Sequence, residues 1–341
     1  LVISSEVIKA GVNIPKSVFF THEDSAFMYM TNKILVTGAS GYIGSIVCTE
    51  LQRRGHHVTG VDRNVPRIAT DCDFIQASHD DDYQLQKILL NIDTVVHIGA
   101  TSLVGPSVKD PSTYYQNNVV GTKILLDACV AQGVKKFIFA SSAATYGDVD
   151  SDSLTEDTNE SPCNPYGWSK RMTEIMLQDY YTAYGLSSIS FRFFNVAGAG
   201  YGLGQTKNAT HLIARIMENP KLKVFGDSYD TPDGTAVRDY VHVKDIARAH
   251  ALAVDYLNNI SNCVRLNLGS GRGTSVLDII KAVDNQTDLN VKYTVEGPRA
   301  GDPAKLVANI SKAKDVLGWE PDYGLDKIIH SAYNWYHNKD V

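Results

Sequence analysis

Tyr166 and Lys170 stand four residues apart in Y-G-W-S-K, a spacing that puts both side chains on one face of a helix. A phenol with its ordinary pKa of about 10 is a poor base at neutral pH, and an adjacent lysine cation favours its phenolate. The pair therefore reads as a proton shuttle. Tyrosine and lysine at this spacing also occur on plain surface helices. What favours chemistry is Ser141-Ser142 just after an apolar run, 136–140, because catalytic groups gather at strand ends in parallel sheets.

Such side chains need a sheet to hold them, and the stretch 33–44, K-I-L-V-T-G-A-S-G-Y-I-G, supplies its first unit. Ile34, Leu35 and Val36 make the short apolar run of a fully buried parallel strand. Gly38, Gly41 and Gly44 follow at three-residue intervals, with Tyr42 and Ile43 opening a helix. One glycine of such a turn reverses the chain, the next admits a pyrophosphate against the backbone, and the third lets helix pack on strand. The unpaired N–H groups and positive dipole end of the helix then face the phosphates. A second strand, 57–61, leads into Asp62, 24 residues beyond Gly38, where a carboxylate can accept hydrogen bonds from an adenosine ribose. That acid repels a 2′-phosphate and favours NAD over NADP, while Arg63 beside it leaves NADP open. The bland alternative is a structural unit without ligand, and turn and acid together weigh against it.

The 341 residues are 43% hydrophobic and 21% charged, enough for one large domain or two smaller ones. A net charge of −6 with no long basic run argues against nucleic acid or an acidic membrane surface as partner. The five cysteines are scattered without C-x-x-C spacing, so neither a disulfide framework nor a metal site is expected, and a reducing, cytoplasmic setting fits. Residues 1–29 fall outside the pattern and read as a poorly ordered leader without a secretory apolar core.

Strands at 34–36, 57–61, 74–76, 94–98, 136–140 and 188–193 alternate with helices at 42–53, 82–90, 111–132 and 165–184. This is the pattern of an α/β doubly wound parallel sheet of Rossmann type. The expected division is a dinucleotide-binding domain over 30–195, with chain crossings, and a smaller α/β C-terminal substrate lobe over 196–341. Glycines at 198, 200, 202 and 204 crowd the loop between them.

G-A-S-G-Y-I-G, the Y-x-x-x-K pair and the preceding serine together resemble the extended short-chain dehydrogenase/reductases. Within them, F-R-F-F-N-V-A-G-A (191–199), D-G-T-A-V-R-D-Y-V-H-V-K-D (233–245) and G-P-R-A-G-D (297–302) resemble the UDP-glucose 4-epimerase family of NAD-dependent epimerases. The resemblance runs over 32–336. It implies that Tyr166 removes the proton of a sugar C4 hydroxyl while NAD⁺ takes the C4 hydride. The keto sugar then turns over and receives the hydride on its other face. It implies that Ser142 holds the C4 oxygen and that Lys170 binds the nicotinamide ribose and lowers the tyrosine pKa. It also places Asn117 near the cofactor, Asn195, Arg238 and Arg299 on the diphosphate, Asp302 on the uridine ribose, and Phe225 and Leu212 near the uracil. A homodimer through helices 111–132 and 165–184 is implied too.

Three departures stand out. The third strand leads into Q-A-S-H, so Ser78 occupies the place of an adenine-contacting aspartate, and adenine recognition is expected to lean on His79. After the fourth strand, Ser102 replaces the lysine of some epimerases. Leu306 stands where enzymes restricted to non-acetylated sugars carry tyrosine, which implies room for an N-acetyl group and action on UDP-N-acetylhexosamines. Among rivals, a 4,6-dehydratase needs an acid beside the serine, and Ala143 and Ala144 fill those places. A 4-epimerase or decarboxylase of UDP-glucuronate or UDP-xylose is nearer, although such enzymes usually carry threonine or serine at the position of Asn195. A non-catalytic NAD-binding regulator would lack the tyrosine or the lysine.

Overall fold

The computed structural model describes residues 31–66, 72–149, 151–206, 209–298 and 303–338. The leader 1–29, Arg299 and Asp302 lie outside the described residues.

The first half builds β1 (Lys33–Thr37), α1 (Tyr42–Arg53), β2 (His57–Asp62), β3 (Asp73–Gln76), α2 (Asp82–Ile88) and β4 (Thr94–His97). Helices α3 (Val104–Lys109), α4 (Pro111–Tyr115) and α5 (Gly121–Ala131) follow, then β5 (Lys136–Ser142), α6 (Pro165–Tyr184) and β6 (Ser187–Phe193). The expected unbroken helix over 111–132 is instead two helices joined by a π-helical turn, Gln116–Val120, which buries Asn117 and Asn118. Helix α3 escaped the sequence pattern because Gly105 and Pro106 mask it; proline is tolerated in a first helical turn. Asn164 caps α6 by accepting from Gly167 N at 2.9 Å, Pro165 opens it, and Gly185 ends it in a left-handed conformation.

Beyond these come β7 (Asn195–Ala197), β8 (Ala199–Gly200), β9 (Leu203–Gly204), α7 (Leu212–Glu218), β10 (Lys221–Phe225), β11 (Val237–His242), α8 (Val243–Asn259) and β12 (Cys263–Leu268). The chain continues through β13 (Gly273–Ser275), α9 (Val276–Gln286), β14 (Lys292–Glu296), β15 (Lys305–Leu306), α10 (Ser311–Leu317) and α11 (Leu325–Tyr336).

Seven parallel strands form the main sheet in the order β12-β6-β5-β4-β1-β2-β3. This is the doubly wound α/β architecture the alternation predicts, with the order reversing between β1 and β4. A crevice opens there beyond the carboxyl ends of the strands. Strand β12 comes from beyond residue 196, and α8 packs on α1 over one apolar core that holds Ile46, Val47, Ala247 and Ala251. On the outer side of α6, Trp168, Met172 and Ile175 are exposed at helical spacing, which composition alone did not reveal.

Candidate active site

The crevice is one cavity of about 760 Å³. Its nucleotide end is built by the turn after β1. Gly38 has φ +72°, and a Cβ there would meet Gly99 N at 2.7 Å. A Cβ on Gly44 would stand 2.1 Å from Gly38 O, so only glycine lets α1 start this close to the turn. Gly41 is the N-cap of α1 and supplies no side-chain cap, which leaves first-turn N–H groups available along a wall formed by Gly41, Tyr42, Ile43 and Gly44. Tyr42 crosses to the C-terminal half, donating to Gly198 O at 2.7 Å. At the end of β2, Asp62 accepts from Ser40 N at 3.2 Å and Asn64 N at 2.9 Å, and it lines the cavity with Arg63 and Ser78. These residues fit a dinucleotide: a backbone cradle too tight for a Cβ, a helix start and an ordered carboxylate.

Asn117 is not on the cavity wall. The π turn buries it one layer back, where it accepts from Arg63 Nη2 at 2.6 Å and donates to Thr101 Oγ1 at 3.1 Å. His79 lines the cavity, but its Nε2 pairs with Asn117 O at 3.1 Å and burial lowers its pKa, so it stays neutral.

Across the crevice, β5 delivers Ser142 and α6 delivers Tyr166 and Lys170. Ser142 Oγ accepts from Ala144 N at 3.2 Å and is hydrogen-bonded to the Tyr166 phenol. Tyr114 meets Tyr166 edge-on, with ring centres 6.4 Å apart. The expected lowering of the tyrosine pKa by Lys170 is absent here. Burial raises the Tyr166 pKa, outweighing the Ser142 hydrogen bond, and nearby Tyr114 raises it further. Lys170 donates to Ala140 O at 2.7 Å, and burial takes its own pKa down to about 7 against the opposing pull of Glu174. Both groups are buried, so desolvation disfavours the charged form of each.

The remaining wall comes from the second half. Asn195, Arg238 and Leu306 line the cavity, and Arg238 is the register partner of Leu306 in the β11–β15 pair. A plain Arg238–Asp239 surface pair does not describe this strand. Asp239 is buried on the opposite face, accepting from Ser270 N and Oγ, Gly271 N and Ala308 N at 2.6–3.1 Å. Phe225 and Leu212 lie off the main cavity. Among the described residues, strand β10, which ends in Phe225, pairs with β14 in a small separate sheet, while Leu212 lines a smaller adjoining pocket with His211 and Gln205. The sequence reading missed Asn164, Gln205 and His211 on the main wall. An Asn-Pro pair two residues before the tyrosine is a readable cap signal; the other two carry none. Among the described lining residues, Asp62 is the sole acid, and it stands at the nucleotide end.

A doubly wound sheet with a dinucleotide cradle facing a tyrosine, a lysine and a serine defines a nicotinamide-dependent enzyme that works on an alcohol carbon. The chain belongs to the NAD dependent epimerase/dehydratase family, whose model matches residues 34–269. It is similar to the UDP-glucose 4-epimerase of Rhizobium meliloti, 41% identical over 324 residues that cover 91% of this chain and 98% of the relative. Among solved structures it resembles UDP-glucose 4-epimerase from Brucella ovis in complex with NAD, at TM-score 0.87 and 39% identity, covering 90% of this chain and 98% of that one. It also resembles the Bifidobacterium longum enzyme in complex with NAD⁺ and UDP, at TM-score 0.85 and 34% identity over 90% and 98% of the two chains.

Proposed function

We propose that this chain is a UDP-glucose 4-epimerase, interconverting UDP-glucose and UDP-galactose with NAD held by the Gly38–Gly44 turn, Asp62 and Lys170. The observation that carries the reading is that one cavity is shared by that cradle and by Tyr166, Ser142 and Arg238, with no acid beside them among the described lining residues. When bound, NAD⁺ supplies a reversible hydride acceptor for C4 and a positive ring that favours the phenolate. Tyr166 takes the proton of the C4 hydroxyl and returns it after the sugar has presented its other face. Ser142 donates to the C4 oxygen and to the phenolate in turn. Arg238, a planar and always charged donor, grips the diphosphate with Asn195. Elimination of water is disfavoured because Ala143 and Ala144 offer no proton beside Ser142.

Residues 30–195 serve mainly the cofactor and 196–341 mainly the sugar nucleotide. Arg299 and Asp302 belong to the second group, the former on the phosphate and the latter on the uridine ribose. Leu306 leaves room for an N-acetyl group, so UDP-N-acetylhexosamines are further substrates. The exposed Trp168, Met172 and Ile175 on α6 support a homodimer. Five cysteines that form no disulfide suit a cytoplasmic enzyme, and no helix among the described residues is long and apolar enough to cross a membrane. The test is to incubate the purified protein separately with UDP-galactose, UDP-N-acetylgalactosamine, UDP-xylose and UDP-glucuronate and identify products by NMR. Formation of UDP-glucose is expected; conversion of UDP-glucuronate or UDP-xylose alone would overturn the assignment.

A further inference from the structure

One buried carboxylate outside the cavity touches both elements that carry the chemistry. Glu174 lies on α6, one helical turn past Lys170 and two past Tyr166, and it is fully enclosed. Its Oε1 accepts from Ser141 Oγ at 2.6 Å and from Arg192 Nε at 3.0 Å, and its Oε2 accepts from Arg192 Nη2 at 2.6 Å. Ser141 and Arg192 are themselves register partners across β5 and β6. The same Nη2 of Arg192 also meets Glu160, which holds Arg171 and, at 2.8 Å, Arg265 of β12. A charge this deep is costly unless every lone pair is met, and here the partners are distributed over three strands and a helix. The residue preceding Ser142 is thus bolted to the helix that carries Tyr166.

Resting on the catalytic assignment above, we propose that Glu174 is a positioning residue: by holding Ser141 and Arg192 together, it fixes the end of β5 against α6 so that Ser142 stays within hydrogen-bond reach of the Tyr166 phenol. The groups that face that phenol are Ser142 from β5, Tyr114 from α4 and Lys170 from its own helix. The Ser142 contact favours the ionised phenol, so loosening it has a signature that lost stability alone does not produce.

Ser141→Ala removes the single bond between Glu174 and the strand end while leaving the arginine–glutamate pairs intact. In the holoenzyme, kcat is expected to fall ~10- to 100-fold with KM for UDP-galactose nearly unchanged. The tyrosinate absorbance of Tyr166, taken as the difference from the matching Tyr166→Phe protein, is expected to appear at higher pH than in wild type. Ser141→Thr, which keeps the hydroxyl, should restore both. Glu174→Gln should move both readouts the same way; because it weakens a buried arginine pair and can fail to fold, the serine variant decides. A folded Ser141→Ala protein with wild-type kcat, or one with reduced kcat whose Tyr166 ionises at the wild-type pH, would overturn the proposal. Should wild type turn over no UDP-sugar, the functional reading falls, while the ionisation comparison still judges this one.

Discussion

Lys170 Nζ stands 5.8 Å from the centre of the Tyr166 ring and donates to Ala140 O at 2.7 Å. The two side chains share a helix face, yet burial acts on each in the direction that keeps it neutral. The resting tyrosine is therefore a protonated phenol, and the base role proposed for it draws on charge that arrives with the cofactor.

Tyr166→Phe removes the proposed proton carrier and leaves the cradle untouched. Activity should drop by ~10²- to 10⁴-fold while bound NAD, measured after denaturing release, stays at the wild-type level. Full activity would exclude the tyrosine from the reaction.

Lys170 makes stability depend on pH in a defined direction. Its folded pKa of about 7 lies below the ordinary 10.5. At acid pH the lysine is charged both folded and unfolded, and the native state bears the whole cost of the buried cation. Between those two values only the unfolded chain keeps the proton, so stability rises with pH by up to ~1.4 kcal/mol per unit. In NAD-free protein, the unfolding free energy of wild type minus that of Lys170→Met should increase by a few kcal/mol across this window. Urea titrations at several pH values measure it, and a pH-independent difference would contradict the burial argument.

Gly44→Ala puts a methyl 2.1 Å from Gly38 O, a backbone atom that cannot move aside without shifting the turn. A loss of ~1–3 kcal/mol or more in chemical denaturation is expected, with NAD no longer co-purifying. Unchanged stability together with full NAD content would refute the packing role.

Leu306→Tyr narrows the cavity next to Arg238. Turnover of UDP-N-acetylgalactosamine should be lost while that of UDP-galactose persists within about an order of magnitude, since a pocket discriminates by bulk far more readily against the larger ligand. Equal loss on both substrates would point to damage rather than selection.

Much of the framework was legible in the residues. Apolar runs and glycine spacing specify β1, its turn and α1, and the Asn-Pro and Gly185 signals bound α6 at both ends, because these depend on local sterics and capping. The helices around 104–132 were harder. Gly105 and Pro106 hide α3, and nothing in Gln116–Val120 announces a π turn, within which buried Asn118 finds Thr101 N and O and Ser169 Oγ.

The placement of Phe225 shows the limit differently. Its neighbours K-V-F-G suit a strand, as observed, but a strand's own sequence does not state which sheet it joins, and among the described residues β10 pairs with β14 in a two-stranded sheet apart from the main one.

By itself the sequence determined the doubly wound architecture, the dinucleotide cradle and the helical face shared by tyrosine and lysine, since each follows from constraints acting within a few residues of chain. Tertiary structure alone decided the protonation of that pair and the grip of Glu174 on Ser141 and Arg192. Desolvation and buried hydrogen bonds are set by groups that arrive from distant segments, and no local pattern encodes how deeply a side chain will be covered.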